Sequence, residues 1–450
     1  MGEVALATPT KAFFLDMFTR DITLEDAVLD LVDNAIDALC RKRNIDLSVY
    51  YSNGTNADKT GINGSKGVNQ KPATIEISFT DKEFRIVDTC GGIPYNMAKE
   101  EVFQFGRVTH RTGPGLSVYG VGLKRAIFKL GRIIKVESHT KEDGFVVHVD
   151  VDDWSSEEKK DDWTFPIERQ APATTEDNAG TSVIVSNLNR EVIMRLNDGT
   201  LITNLKQMIA STYPLFLREY VFLSINDIPV APLPMSTTAG EGVEPSSLKF
   251  EEDGVKVLIT AGLAEKIGGE WNQDRAGWYV ICNGRVVVWA DKTDLTGWGS
   301  GGPQYQPKFR GFLGLVFFFS NNPETLPWTT TKRGLNKESR IYQIAIKKMV
   351  LVGRPVLDFL NELSQRTSED LLEREVIDNL KPVPLIDVLR TENRAFTAPP
   401  RAATIDTVRV QFDASLEDIE KVRKCLKKPW MSGAAIGRHA LKYFIEQECP

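Results

Sequence analysis

Along residues 26–39, apolar and acidic side chains recur with helical rather than strand spacing. Wound at ~100° per residue, Asp26, Asp30, Asp33, Asn34 and Asp37 share one face, while Val28, Leu31, Val32, Ala35 and Leu39 share the other. The pattern predicts a helix that is half core. Its other half is either a solvated acidic face or a metal-nucleotide site, since carboxylates gathered on one side repel one another unless cations or solvent screen them. Thr23, with Asp26 three residues later, predicts an N-cap with a capping box at the helix start. Upstream, Phe13, Phe14, Met17 and Phe18 stand at i, i+1, i+4 and i+5. They predict a short amphipathic element that docks on the body or on a partner subunit.

Period-two alternation follows. Residues 74–79 and 84–87 read as a hairpin turning at Asp81-Lys82 and ending in Asp88-Thr89-Cys90-Gly91-Gly92-Ile93-Pro94. A carboxylate at a strand end followed by glycines lets backbone and ligand approach closely, and Asp88 could accept from an exocyclic amine; a plain Gly-Gly turn uses the same residues. Residues 113–126 pass from a glycine-rich loop into an apolar helix ending near Gly131. Glycines ahead of a helix N-terminus free backbone N–H groups to cradle phosphate. The stretch is neither a Walker A motif, which needs GxxxxGK[ST], nor a Rossmann fingerprint, which needs a strand immediately before it. A second hairpin pairs 133–138 with 145–150, and Gly180-Thr181 opens a further strand, where Thr181 either offers a hydroxyl to a ligand or favours the strand. Between these pieces, 52–71 is a polar Gly/Asn/Ser/Lys surface insertion and 152–178 a long acidic loop.

The second half reads as strands at 221–225, 256–260, 277–283, 285–289 and 312–319, with Asn283-Gly284 as a type I′ turn, and a closing helix over 337–351. Helices continue to about Leu389, followed by a polar, Pro-containing linker over 391–404, a strand over 407–412 and helices over 416–426 and 434–446. The domain division is therefore 1–195, 196–352, 353–403 and 404–450. The tail resembles a ribbon-helix-helix DNA-binding module, in which Arg409 and Gln411 would face the major groove; a packing or dimerisation role is the alternative.

Composition narrows the classes. A chain of 450 residues predicts two to three domains. The net charge of -6 carries no global basic signature, so nucleic-acid contact would need a local patch. Cys40, Cys90, Cys282, Cys425 and Cys449 are widely spaced, without a CxxC pair, and no apolar leader follows Met1. This predicts a reduced, cytoplasmic protein without structural zinc. The most apolar run, 311–319, is too short to span a bilayer.

Acidic-Asn helix, Asp-Gly-Gly turn, glycine loop into helix, and Gly-Thr strand stand in this order over residues 20–190. Together they resemble the GHKL ATPase superfamily, which includes gyrase B, the ninety-kilodalton heat-shock chaperones, MutL, histidine kinases and MORC proteins. The resemblance implies an α/β sandwich of the Bergerat type that binds ATP, followed by an α+β transducer domain as in MutL and MORC members and by a small βαα tail. On it, the Asn34 side-chain oxygen would bind Mg²⁺ and Asp88 would read adenine, with Gly92 and Ile93 beside it and Thr181 supporting the contact. Gly120, Val121, Gly122, Leu123 and Lys124 would form the lid and phosphate loop. The loop Thr329-Thr330-Thr331-Lys332-Arg333-Gly334 would send Lys332, or else Arg333, to the γ-phosphate; both could equally be solvated charges. Asp30 stands where hydrolysing members carry the general-base Glu, one methylene longer. Misplacement by about 1 Å can cost roughly 100-fold in rate, so slow or absent turnover is expected. Cys90 replaces the first glycine of Asp-x-Gly-x-Gly, leaving Gly91 to adopt the special backbone angles. The implied function is a Mg-ATP-operated clamp that homodimerises in the ATP state and acts on an unknown client; the alternative is a nucleotide-gated binding protein, on nucleic acid or in signalling or defence, with little turnover.

Overall fold

Thr23 starts the central helix as its side chain requires. Its hydroxyl accepts from Asp26 N at 3.1 Å, and the Asp26 carboxylate accepts from Thr23 N at 3.2 Å, which satisfies two helix-end donors reciprocally. In this computed structural model, residues 9–52, 71–105, 115–116, 120–240, 242–365, 376–398, 410, 413–426, 428 and 431–448 are described. Helix α1 spans Lys11–Arg20, α2 Leu24–Arg43 and α3 Gly122–Leu130. Arg41, Lys42 and Arg43 close α2 against its dipole before Asn44 turns left-handed at φ 49°. One face of α1 docks on the body: Phe14 stacks on Phe18 and meets Phe105 and Trp163 edge-on, whereas Phe13 and Met17 stay exposed.

The first sheet carries eight strands: β1 Ala73–Phe79, β2 Glu83–Asp88, β3 Gly131–His139, β4 Gly144–Asp150, β5 Ile167–Gln170, β6 Gly180–Leu188, β7 Val221–Ile225 and β8 Ile228–Pro229. Their order is β5-β4-β3-β6-β2-β1-β7-β8. Ala73, Ile75, Ile77 and Phe79 alternate inward along β1, and α2 and α3 pack on each other and on the sheet, making an α/β two-layer core. Here the expected division at 195/196 needs correction. Strand 221–225 belongs to the first sheet, running parallel to β1 with Ala73 opposite Val221. The two sheets part between Pro229 and Thr237. A parallel partner reached by so long a crossover leaves no local mark on the strand's own pattern.

The second sheet comprises β9 Thr237–Ala239, β10 Ser246–Glu252, β11 Val255–Ala264, β12 Gly277–Cys282, β13 Arg285–Asp291, β14 Phe312–Phe319 and β15 Lys381–Pro382. Its order is β13-β12-β14-β11-β9-β15, with β10 on β11. Every residue of β14 is buried, as its unbroken apolar run predicts. Asn283 and Gly284 both have positive φ, 46° and 86°, the type I′ signature. A Cβ on Gly284 would lie 2.6 Å from Leu47 Cδ1, so this turn presses against the first layer.

Two helices matter beyond these. Helix α4, Thr200–Thr212, leads into Tyr213, and α5, Arg340–Gln365, covers β10, β11 and β14. The closing helix thus begins later and runs further than 337–351, because Val352, Val356, Phe359 and Leu360 continue its buried seam. The described residues 376–398 of the expected connector and linker are not detached from the body either. Lys381 pairs with Ala239, and Arg394 and Thr397 bridge to Ser247 and Glu244, so the chain folds back onto the second sheet.

A separate unit spans 401–450. Within it, α6 is Leu416–Cys425 and α7 is Gly433–Glu448. The expected strand over 407–412, with Arg409 and Gln411, lies outside the described residues except for Val410, as do 53–70 of the polar insertion and Gly113, Pro114 and 117–119 of the glycine loop. Among the described residues no helix is long and apolar enough to cross a membrane.

Candidate nucleotide site

A cleft opens between α2, the end of β2, the start of α3 and the loop after β14. Asp30, Asn34 and Asp37 enter it from α2, Asp88 and Ile93 from the β2 end, and Thr181 from β6. Gly120, Val121, Gly122 and Leu123 border it at the α3 N-terminus, and Thr330 and Lys332 come from the far side.

At one end Asp88 is buried and accepts from Cys90 N at 2.8 Å. Burial pushes its carboxyl up to about 6, opposed by the hydrogen bonds from Cys90 and Thr181. Close backbone packing holds it there: a Cβ on Gly180 would lie 1.8 Å from Asp88 O. Gly91 and Gly92 take φ of 115° and 73°, so the glycines after Cys90 supply the left-handed angles. Gly92 itself does not line the cleft; it lets the turn approach β3, where an added Cβ would meet His139 O at 2.2 Å. Ser138, which sequence reasoning missed, ties the region together. Its Oγ accepts from Ile93 N at 2.8 Å and lies 2.9 Å from Thr181 Oγ1.

The acidic face of α2 is not solvated. Asp30, Asp33 and Asp37 are all buried, and each has a partner, as buried charge requires. Arg125 Nη2 donates to Asp30 Oδ2 at 2.7 Å, and Leu116 N donates to Asp37 Oδ1 at 2.6 Å. Arg333 pairs with Asp26. Asp33 accepts from Tyr213 Oη at 2.6 Å, Arg285 Nε at 3.0 Å and Lys332 Nζ at 2.7 Å. Burial alone would raise its carboxyl, but the Arg285 and Lys332 cations outweigh that and hold it below the usual range.

Residues 22–181, which include α2, the Asp88 turn, α3 and the start of β6, match the family model for histidine kinase-, DNA gyrase B-, and HSP90-like ATPases. This segment is a GHKL-type ATPase domain. No curated protein matches the chain. In the GHKL-type domain, oxygen donors face the cleft, with Asn34 and Asp30 side by side on α2. Among the described residues no cluster of three or more His, Cys, Asp or Glu could hold a metal by itself. One or two oxygen ligands, completed by phosphates and water, suit Mg²⁺, so this donor set fits that ion.

Lys124 departs from the expected phosphate loop. Its ammonium is buried and donates to Val102 O at 2.7 Å and Gln104 O at 2.8 Å, near the Phe105 ring, and burial lowers it to about 8. The reason is helical spacing. Residue 125, three beyond Gly122, shares that glycine's face, whereas residue 124 points nearly opposite. Arg125 therefore faces the cleft and Lys124 braces the segment ending at Phe105. Lys332 and Arg333 lie beyond the matched segment. Both are fastened to α2 of the GHKL-type domain, Lys332 through Asp33 and Arg333 through Asp26.

Proposed function

We propose that the chain is a Mg-ATP-operated conformational clamp with slow turnover. The observation that carries this reading is the convergence, in one cleft, of buried Asp88, Asn34, the N-terminus of a glycine-led helix and Lys332 from beyond the domain. Asp88 accepts from the exocyclic amine of adenine, with Thr181 and Ser138 backing the contact. Asn34 lends its side-chain oxygen to Mg²⁺, which would supply charge neutralisation at the phosphates. Backbone N–H groups at Gly122 and Leu123 face phosphate at the positive end of α3. Asp30 polarises the attacking water, and Lys332 stabilises charge developing on the terminal phosphate. Since Arg285 comes from β13 of the second sheet and Lys332 from the loop after β14, their contacts with α2 bias the placement of that sheet according to nucleotide state. In this reading the same bias couples nucleotide state to homodimerisation and to action on a client protein.

A second reading is a nucleotide-gated switch without turnover. It is favoured by Arg125, which already occupies Asp30 Oδ2. Phosphate release at saturating Mg-ATP separates the two. In the clamp reading, wild type turns over while Asp30→Ala and Asn34→Ala do not; silence in all three, with binding intact, selects the switch. If Mg-ATP raises neither the melting temperature nor the dimer fraction of the wild type, both readings fail.

A further inference from the structure

Asp33 holds two cations, yet only one of them reaches the cleft. Lys332 lines it; Asp33 and Arg285 do not. All three side chains are buried, and Tyr213 Oη supplies a third donor to the same carboxylate. Arg285 also donates from Nη1 to the Lys332 carbonyl at 2.6 Å, which fixes the lysine's backbone independently of its ammonium. That backbone is left-handed, at φ 56°, with Lys332 N donating to Thr329 O.

One carboxylate and two cations leave this buried group with a net charge of plus one. Removal of the lysine ammonium leaves a neutral Asp33–Arg285 pair, still hydrogen-bonded by Tyr213, so the group loses no charge balance when Lys332 departs. An anion in the cleft supplies what the buried group lacks. We propose that Asp33 is an internal competitor for Lys332: it holds the ammonium when the cleft lacks a terminal phosphate and yields it when one is present, while Arg285 stays to keep Asp33 paired and the loop in place. Asp33 and Arg285 are positioning residues in this scheme. The inference rests on the nucleotide reading above.

Competition sets the preference for a nucleoside triphosphate over a diphosphate, because the work of detaching Lys332 from Asp33 is charged only to the former. Asp33→Asn weakens the hold, so the preference rises by about tenfold. Tyr213→Phe strips one donor from the carboxylate, leaves more of its charge to Lys332 and tightens the hold. The preference then falls by about threefold. Opposite shifts from two substitutions around one carboxylate are not what general loosening produces.

The test is calorimetric titration of the full chain with Mg²⁺ and either a non-hydrolysable ATP analogue or ADP, in wild type, Lys332→Ala, Asp33→Asn, Tyr213→Phe and both substitutions combined with Lys332→Ala. The expected result is the rise and the fall described, both vanishing in the Lys332→Ala background. An unchanged ratio in Asp33→Asn and Tyr213→Phe, or a shift in the same direction in both, overturns the inference. Should Asp33→Asn not fold, Tyr213→Phe decides alone, and a ratio that does not fall overturns it. If wild type binds both nucleotides but Lys332→Ala leaves their ratio unchanged, the competition is refuted while the nucleotide site stands. Binding of neither nucleotide to wild type removes the site itself.

Discussion

Arg125 grips Asp30 at one oxygen only, Nη2 to Oδ2 at 2.7 Å, and thereby fixes the orientation of the carboxylate proposed to polarise water. Both side chains are nearly buried, so solvent screens the pair little. Arg125→Met is expected to lower kcat by about tenfold or more while changing the KM for ATP little, because a misoriented base costs rate rather than ground-state binding. Steady-state phosphate release checks this; a proportional rise in KM would show that Arg125 serves binding instead.

Asp88 ties nucleotide affinity to pH. The ionised carboxylate accepts from an amine more strongly than the protonated acid does, and burial raises the group to about 6. ATP affinity should therefore fall as pH drops through about 6. The sign for stability is opposite: the folded value lies above the ordinary 3.8, so ionisation is penalised in the fold, and the penalty disappears as the carboxyl protonates. Asp88→Asn should then be more stable than wild type at pH 8, by at most about 3 kcal/mol, with the gap closing below about 6. Its ATP affinity should be lower at pH 8. Melting curves and titrations across pH 5 to 8 report both.

Two glycines should fail in different ways. A Cβ on Gly92 would meet a backbone oxygen at 2.2 Å, at a φ of 73°. Gly92→Ala is expected to destabilise the fold by more than about 3 kcal/mol. A Cβ on Gly122 would instead lie 3.2 Å from Asp30 Cγ, a side chain that can shift. Gly122→Ala should keep its melting temperature within a few degrees, as alanine suits a helix better, while turnover falls about tenfold through displacement of Asp30. Thermal melts beside activity assays distinguish them.

Lys124→Met is the complement to Arg125→Met. It removes the two bonds to Val102 O and Gln104 O and should lower stability by about 1–3 kcal/mol. ATP affinity in calorimetry should stay within about twofold, since the side chain does not line the cleft.

Local chemistry in the sequence carried much of this. The Thr23–Asp26 box, the inward alternation of β1 and the Asn283-Gly284 turn each depend on neighbours a few residues apart. The partners of the α2 carboxylates do not. Arg125 is 95 residues from Asp30, while Arg285 and Lys332 are 252 and 299 from Asp33, so nothing near the helix distinguishes a solvated acidic face from a neutralised one. Lys124 differs for another reason: the family resemblance assigns it to the phosphate loop, whereas the helical angle from Gly122 turns its neighbour Arg125 to the cleft. The sheet membership of β7 was invisible because its partner lies so far back in the chain.

The placement of β7 has a practical consequence for anyone isolating the nucleotide-binding part. A fragment cut at residue 195 would lose the strand that covers the outer edge of β1, leaving the N–H and C=O groups along 73–77 open to pair with another molecule. It would also lose Tyr213 and with it a donor to Asp33. Such a fragment should aggregate at concentrations where one ending at Pro400, which keeps the full row of eight strands and both cations on Asp33, remains dispersed.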